Sequence, residues 1–216
     1  MNNFVLNFFN SHFLSQIRSS DKGYLCLALG PMFSGKTTFL IQVLTTLADL
    51  KFKVTYINNL KDIRRTESSD NTVTTHHSNF SHLSSKITPF KVNLLSEVDI
   101  SSFDVIGIDE SNFFDDLVPV VLDWLNIHHK IIFIVGLDGD AFKRPIGHSL
   151  DLLTDSDFFI KLTAYCKYCL DSSDILPAPF TGRLSNSSDS IVVGGSDLYV
   201  PLCRSCHRKH LATLQD

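Results

Sequence analysis

The residues at 30–37 have the spacing of a loop that binds phosphate groups. They run Gly-Pro-Met-Phe-Ser-Gly-Lys-Thr and fit the pattern G-x-x-x-x-G-K-[ST] without a mismatch. The glycines let the backbone curl so that its N–H groups point at an anion, and the following helix adds its positive end. Lys36 would reach the β- and γ-phosphates of a nucleoside triphosphate, and the Thr37 hydroxyl would hold Mg²⁺. A chance match in a glycine-containing turn is the alternative.

A pair of carboxylates, Asp109 and Glu110, ends an apolar run further along the chain. The stretch 103–110 (FDVIGIDE) has the Walker B form, in which a core strand delivers acids beside the phosphate loop. Asp109 would hold Mg²⁺ directly or through water, whereas Glu110 would be free to accept a proton. The alternative is a surface Asp-Glu pair that opens a loop.

Four of the five cysteines form two C-x-x-C pairs at 166/169 and 203/206. Two such pairs separated by a loop predict a tetrahedral zinc ribbon with the ligands Cys166, Cys169, Cys203 and Cys206. Two free thiol pairs of redox type are the alternative, and His207 could replace one ligand. The segment 170–202 would then be a lasso tied at both ends. Cys26 lies within an apolar run and is interpreted as a small core residue.

The length of the chain indicates one domain, or one domain with a small appendage. The chain has 216 residues and a net charge of −4, without a long basic run, which argues against a mainly electrostatic binder of nucleic acid or membranes. No stretch reaches the length of a membrane helix. With paired cysteines and no secretory signal, we expect a cytoplasmic protein in a reducing compartment.

Buried-type strands alternate with helices in the first three quarters of the chain. The pattern predicts an α/β fold of RecA-like P-loop type, with a parallel sheet, helices on both faces and an added Cys₄ zinc-ribbon lasso domain. Four segments are expected: an N-terminal extension (1–22), a nucleotide-binding domain (23–164), the lasso domain (165–210) and a tail (211–216). Predicted strands are 24–29, 53–57, 103–110, 130–135 and 158–164; predicted helices are 38–50, 118–127 and 150–153.

Two stretches carry weaker signals. Apolar residues within 1–20 fall at roughly helical spacing, so this extension is either a short amphipathic helix or a loose tail. Residues 58–90 form a long polar connection, which is usually functional or mobile in a compact domain. It contains Asp62, Arg64, His76 and His77.

Taken together, these motifs resemble the type II thymidine kinases, a family of cytosolic, bacterial and large-DNA-virus enzymes. The resemblance covers about residues 23–210, and the joint order of the motifs is more specific than any one of them. The matching stretches are GPMFSGKTT (30–38), IGIDESNFF (106–114), GLDGD…RP (136–145), KLTAYCKYC (161–169), FTGR (180–183), VVGGSDLY (192–199) and CRSCH (203–207).

The resemblance implies phosphorylation of the 5′-hydroxyl of thymidine, and of deoxyuridine, with ATP and Mg²⁺. It also implies a homotetramer with structural Zn²⁺ that is inhibited by its end product, dTTP. Glu110 matches the catalytic base, and Lys36 and Arg183 would stabilise charge on the transferred group. ATP would be held by Gly30, Pro31, Met32, Phe33, Ser34, Gly35, Lys36, Thr37, Thr38 and Asp109; the nucleoside would be held by Phe113, Leu137, Thr181, Val192 and Tyr199.

Three departures from the family pattern concern the base pocket. Ala141 stands where the family usually has Phe, with Phe142 next, so either the turn shifts by one residue or the pocket is wider. Asn112 replaces the commoner Gln and is one methylene shorter. The stretch from Cys169 to Thr181 is longer than usual.

Two other functions are compatible with part of the pattern. A P-loop ATPase could use the zinc ribbon to grip nucleic acid, with Glu110 orienting water; the low basic content argues against it. A catalytically silent relative could bind nucleotides or serve as an assembly partner. The intact set of Lys36, Thr37, Asp109 and Glu110 argues against that alternative.

Overall fold

The centre of the computed structural model is a six-stranded sheet with the strand order β3-β2-β4-β5-β1-β6. The structure describes residues 22–62, 83–172, 174–184 and 197–213. Every neighbouring pair of strands in this sheet is parallel. The strands are β1 (Tyr24–Leu29), β2 (Val54–Asn59), β3 (Ile87–Val92), β4 (Val105–Ile108), β5 (Ile131–Gly136) and β6 (Phe158–Lys161).

Two longer helices cover opposite faces of the sheet. Helix α1 (Lys36–Asp49) packs on the face that carries Cys26, and helix α2 (Leu117–Asn126) packs on the face that carries Leu25 and Leu27. Successive side chains of a strand point to opposite faces, so a strand buried on both sides is apolar throughout. This arrangement confirms the predicted α/β class, and Cys26 is a buried core residue, as expected.

Gly107 in the middle of β4 allows α1 to approach the sheet closely. A Cβ atom at this position would lie 2.4 Å from Cδ1 of Leu44, a distance that real contacts do not reach. The missing side chain therefore sets how deeply α1 sits on the strands that end at the carboxylate pair.

A smaller unit, which we call the cysteine lobe (residues 164–213), follows β6. It holds two antiparallel pairs of strands, β7 with β8 and β9 with β10. Its small core is built from Ala164, Cys166, Ala178, Val200, Leu202 and Cys203. The elements are β7 (Ala164–Tyr165), α3 (Lys167–Leu170), β8 (Pro177–Ala178), β9 (Phe180–Arg183), β10 (Tyr199–Leu202) and α4 (Arg204–Thr213).

The structure corrects several predicted elements. The prediction missed β3, whose first four residues (87–90) lie inside the supposed polar connection. The predicted strand 158–164 is shorter, because it ends at Lys161 and Ala164 pairs with Ala178 in the cysteine lobe. Helix α1 begins at Lys36, two residues before the predicted start. The predicted helix 150–153 lies within a 3₁₀ helix, Ser149–Asp155, and two further 3₁₀ turns are Leu95–Glu97 and Ser111–Phe113.

Some predictions concern residues that the structure does not describe. They include the extension up to residue 21, Arg64, His76, His77 and Val192. Among the helices that are described, none combines the length and the apolar character needed to cross a bilayer.

Candidate active site

The phosphate-loop sequence forms the turn between β1 and α1. Gly35 adopts a left-handed conformation with a φ of 78°, and its carbonyl accepts the N–H of Phe39 at 2.8 Å. The buried ammonium of Lys36 donates to the carbonyl of Pro31 at 2.7 Å, and the Ser34 hydroxyl donates to the same oxygen at 2.8 Å. The loop is therefore closed around a lysine cation, which suits it to an anionic ligand.

The tip of this loop is docked on the cysteine lobe. Phe33 packs against the lobe core and has a φ of 66°, a conformation that costs a non-glycine residue about 1 kcal/mol. The neighbouring backbone N–H of Met32 donates to Oγ1 of Thr181 at 3.0 Å. Contacts with the lobe thus help to hold the loop in its strained conformation.

Asp109 and Glu110 stand at the carboxyl end of β4 and are both buried, with 1% and 8% of their surface exposed. The N–H of Asp109 continues the ladder by donating to the carbonyl of Ile57 at 2.9 Å. Its Oδ1 accepts the backbone N–H of Glu110 at 2.9 Å, and its Oδ2 accepts the hydroxyl of Tyr56 at 2.8 Å. Both carboxylate oxygens are thereby fixed by the protein.

Glu110 itself has a left-handed backbone, with a φ of 48°. Strained non-glycine residues of this kind cluster at functional sites. The conformation turns the chain directly from β4 into the 3₁₀ helix at Ser111–Phe113. A buried carboxylate on a strained turn at the edge of a parallel sheet fits the role of a positioned base.

Asn112 connects the carboxylate turn to the turn after β5. Its Oδ1 accepts the backbone N–H of Leu137 at 3.2 Å, so the side chain spans this gap although it is shorter than the family's usual Gln. Its buried Nδ2 has no hydrogen-bond partner within the described part of the chain. An unmet buried donor costs about 1–3 kcal/mol, which makes this nitrogen a candidate ligand contact.

In the turn after β5, Ala141 and not Phe142 takes the buried position. Ala141 is buried, whereas Phe142 is 39% exposed and has the guanidinium of Arg144 5.0 Å from its ring centroid. The carbonyl of Ala141 accepts Nε2 of His207 at 2.9 Å, which fixes the turn against α4. A buried Ala141 is compatible with the wider pocket, which stays a prediction.

The remaining predicted site residues that the structure describes lie partly at the carboxyl edge of the sheet and partly in the cysteine lobe. Phe113 is half-buried, and its carbonyl accepts Nδ2 of Asn59 at 3.3 Å. In the cysteine lobe, the buried Arg183 pairs laterally with Tyr199, and its guanidinium donates to the tyrosine hydroxyl at 3.4 Å. Thr181 contacts the phosphate loop, while Leu137 is half-buried at the Asn112 contact.

The four paired cysteines converge in the cysteine lobe. All four Sγ atoms lie within 4.8 Å of one another. Sγ of Cys169 is 3.8 Å from that of Cys203 and 3.6 Å from that of Cys206. Zn–S bonds of about 2.3 Å in a tetrahedron require sulfur atoms about 3.8 Å apart. These two separations match that spacing, so the cluster could hold a metal ion of this size.

The electrostatics of the cluster also suit a cation. Burial opposes ionisation of the Cys166 thiol, but hydrogen bonds with Cys203 and Cys169 outweigh it and lower its pKa to about 7. The pKa of Cys169 is raised, chiefly by its hydrogen bond with Cys166. One thiolate near neutral pH therefore opposes ionisation of the next thiol until a cation is present. His207 faces the Ala141 carbonyl and is not part of the cluster.

Sequence reasoning missed two contacts of this site and weighed a third residue too lightly. Neither the Tyr56–Asp109 bond nor the docking of Met32 on Thr181 had a signal in the sequence. The sequence shows Asp62 only as one residue of the polar connection; in the structure it is buried after β2, where Nδ2 of Asn58 donates to its Oδ2 at 2.9 Å.

Comparison with known proteins agrees with this geometry. The family model described as thymidine kinase matches residues 23–207. The chain is 33% identical to a thymidine kinase of Yaba monkey tumor virus over 193 residues, which is 88% of this chain and 98% of the relative. It is 34% identical to a thymidine kinase of Sheeppox virus over 187 residues, 87% and 98% of the two chains. It is 33% identical to thymidine kinase 1 of Dictyostelium discoideum over 187 residues, 86% and 78% of the two chains. The chain therefore belongs to the thymidine kinase family.

Proposed function

We propose that this protein transfers the γ-phosphoryl group of ATP to the 5′-hydroxyl of thymidine, and of deoxyuridine, giving the 5′-monophosphate and ADP. The observation that carries the proposal is the buried Asp109–Glu110 pair at the carboxyl edge of a sheet whose β1 strand ends in the phosphate loop. Ligands of open parallel sheets bind at this edge. The identity of the nucleoside substrate is inferred from membership of the thymidine kinase family.

The phosphate loop and the strand end would bind ATP with its metal. Backbone groups from Gly30 to Thr38 would surround the phosphates, and Lys36 would neutralise charge that develops on the transferred group. Mg²⁺, when bound, neutralises phosphate charge and orients the phosphates; Thr37 and Asp109 would hold it. Asp109 fits this role because it is a buried carboxylate whose orientation two hydrogen bonds already fix.

Glu110 would act as the general base toward the nucleoside. Its carboxylate accepts the proton of the 5′-hydroxyl while that oxygen forms a bond with the γ-phosphorus and ADP leaves. Arg183 would stabilise charge on the transferred group from the cysteine lobe. Phe113, Leu137, Thr181, Val192 and Tyr199 would bind the base and sugar, by analogy with the family motifs that they match.

The cysteine lobe would hold Zn²⁺ as a structural ion. Support comes from the four Sγ atoms that lie within 4.8 Å of one another. The boundaries 23–164 for the nucleotide-binding domain and 165–210 for the lasso domain, with an extension before and a tail after them, remain predictions. In this arrangement the lobe carries part of the substrate site.

Four further properties stay predictions, of which the first two rest on the family resemblance and the last two on cysteine usage and composition. We infer a homotetramer, feedback inhibition by dTTP, a cytoplasmic location, and no nucleic-acid or membrane partner. Size-exclusion chromatography with light scattering measures the first, and dTTP titration of the initial rate measures the second. A monomer that is insensitive to dTTP would contradict both.

A panel of nucleosides with ATP and Mg²⁺ tests the activity, with monophosphate formation as the readout. Thymidine and deoxyuridine should be the best substrates, and deoxycytidine should be far poorer. Phosphate release that depends on DNA and consumes no nucleoside would instead identify an ATPase.

Substitution of Glu110 by Gln tests the base. The amide keeps the size of the side chain but cannot accept the proton, so kcat should fall by about 10²-fold or more while ATP still binds. The matched control is Glu97→Gln, because Glu97 is an exposed residue whose carboxylate accepts the N–H of Leu94. Equal turnover in the two variants would refute the assignment of Glu110.

A further inference from the structure

Tyr56 is a buried residue of β2 whose hydroxyl ends at the carboxylate edge of the sheet. Only 2% of its surface is exposed, and its ring belongs to the apolar cluster beneath α1. The hydroxyl donates to Oδ2 of Asp109 at 2.8 Å. The hydroxyl of a core tyrosine thus forms a hydrogen bond with the acid that follows the neighbouring strand β4.

The strand register explains why the hydroxyl arrives there. Tyr56 lies directly opposite Gly107 in the parallel pair of β2 and β4, so its side chain points to the same face as position 107. Asp109, two residues later, returns to that face because strand side chains alternate. Gly107 has no side chain between them, so the phenol can extend along β4 to the carboxylate.

The hydrogen bonds fix Asp109 from two directions. Oδ2 accepts the Tyr56 hydroxyl, and Oδ1 accepts the backbone N–H of Glu110. Because both oxygens are held, the carboxylate presents a fixed direction to a ligand, which suits the strict octahedral geometry of Mg²⁺.

We propose that Tyr56 is a positioning residue for the metal carboxylate of the reaction. Its hydroxyl holds the Asp109 side chain in the orientation in which the carboxylate receives Mg²⁺ or its bound water. The inference rests on the proposed function, in which Asp109 is a metal ligand. The competing explanation is that the bond only satisfies two buried polar groups and has no effect on the metal.

The test is Tyr56→Phe in the full-length, zinc-loaded chain, with Mn²⁺ as the probe. Mn²⁺ binding is measured by electron paramagnetic resonance in the presence of a non-hydrolysable ATP analogue. Loss of a residue that orients a metal ligand typically weakens metal binding by about 10-fold or more, and we expect that loss here. Binding of a fluorescent ATP analogue without divalent metal should change less than about twofold, because the phosphate loop is untouched.

Tyr24→Phe is the matched control. Tyr24 is buried on the same face of the sheet, so this substitution also removes one hydroxyl from the core. The residue stands at the start of β1 and not at the carboxyl edge of the sheet. Metal affinity in this variant should equal that of the unmodified chain. Unchanged Mn²⁺ affinity in Tyr56→Phe, or an equal loss in Tyr24→Phe, would overturn the inference.

Asp109→Asn separates failure of this inference from failure of the proposed function. If Asp109→Asn keeps its Mn²⁺ affinity, the metal role that the proposed function gives to Asp109 is wrong, and the positioning role of Tyr56 falls with it. If it loses that affinity while Tyr56→Phe keeps it, only the positioning role is wrong. A reduced folding stability of Tyr56→Phe does not obscure the result, because the rise in Tm on adding Mn²⁺ should itself be smaller than in Tyr24→Phe.

Discussion

Removal of the metal from the cysteine lobe should weaken ATP binding, even though none of the four cysteines lies in the phosphate loop. The connection is the docking of the loop tip, where Phe33 packs on the lobe core and the Met32 N–H donates to Thr181. A lobe without its metal loses much of the free energy that folds it. Phe33 would then relax from its left-handed conformation, and the cradle for the phosphates would open.

The size of the effect follows from these two contacts. A hydrogen bond between protein groups contributes about 1 kcal/mol. A half-buried Phe contributes about half of the 1.5–3 kcal/mol that full burial provides, or about 1 kcal/mol. Loss of both should weaken ATP binding by about 2 kcal/mol, which is a factor of about 30 in Kd.

The assay is titration with a fluorescent ATP analogue at fixed Mg²⁺ and without nucleoside. Metal is stripped with a chelator under reducing conditions, and the chelator is removed before the titration. Addition of Zn²⁺ should restore the original affinity. Trp124, the one tryptophan of the chain, belongs to α2 and is buried in the core between this helix and the sheet, so its fluorescence reports whether the main sheet stays folded.

Three outcomes would refute this coupling. One is an ATP affinity that stays within about twofold of the starting value although the metal has left. The other is an equally large loss in Phe33→Ala, whose loop no longer has the aromatic contact and should respond less to metal removal. Loss of the Trp124 signal would show that the whole domain unfolds, and coupling through the loop tip would then be the wrong explanation.

Three further substitutions test packing and the base pocket. Gly107→Ala should lower the free energy of unfolding by about 1–3 kcal/mol in urea titrations, because its Cβ would collide with α1. Gly139→Ala is the control and should cost less, because a Cβ there would lie 3.3 Å from its nearest neighbour, the carbonyl oxygen of Arg144. Asp116→Ala removes the acceptor of the N–H groups of Leu95 and Ser96 and should cost about 1–2 kcal/mol in the same assay; no change would contradict a capping role. Ala141→Phe should narrow the pocket and lower kcat/KM for nucleosides with bulky 5-substituents more than for thymidine; an equal loss for both would contradict a pocket wall at this position.

The sequence predicts the buried strands well because they are apolar on both faces. The run at 24–29 has the same bounds as β1, and the acids expected after an apolar strand do follow β4. Strand β3 escapes the prediction because its sequence, ITPFKV, is neither a continuous apolar run nor a regular alternation, and Pro89 within it weakens the strand signal. Helix α1 begins earlier than its apolar spacing suggests, because Lys36 of the phosphate loop already forms its first turn.

Contacts between segments far apart in the chain are less accessible from the sequence. Tyr56 stands in an apolar strand and has the pattern of an ordinary core residue. Its hydroxyl gains a role only because β2 lies beside β4, although β3 comes between them in the chain. The docking of Met32 on Thr181 depends likewise on how the cysteine lobe folds back over residues 149 positions earlier.

Pro89 has a consequence for how this sheet meets other molecules. The carbonyl of Val92 accepts the N–H of Leu60 on the β2 side. Because the backbone groups of successive strand residues point to opposite sides, those of Ile87, Pro89 and Lys91 point away from the sheet. Proline has no N–H, and the N–H of Ile87 is already donated to Ser84. Lys91 is left as the one outward donor within the strand, too few to recruit a foreign strand. This margin is thereby protected against the edge-to-edge association that leads to aggregates.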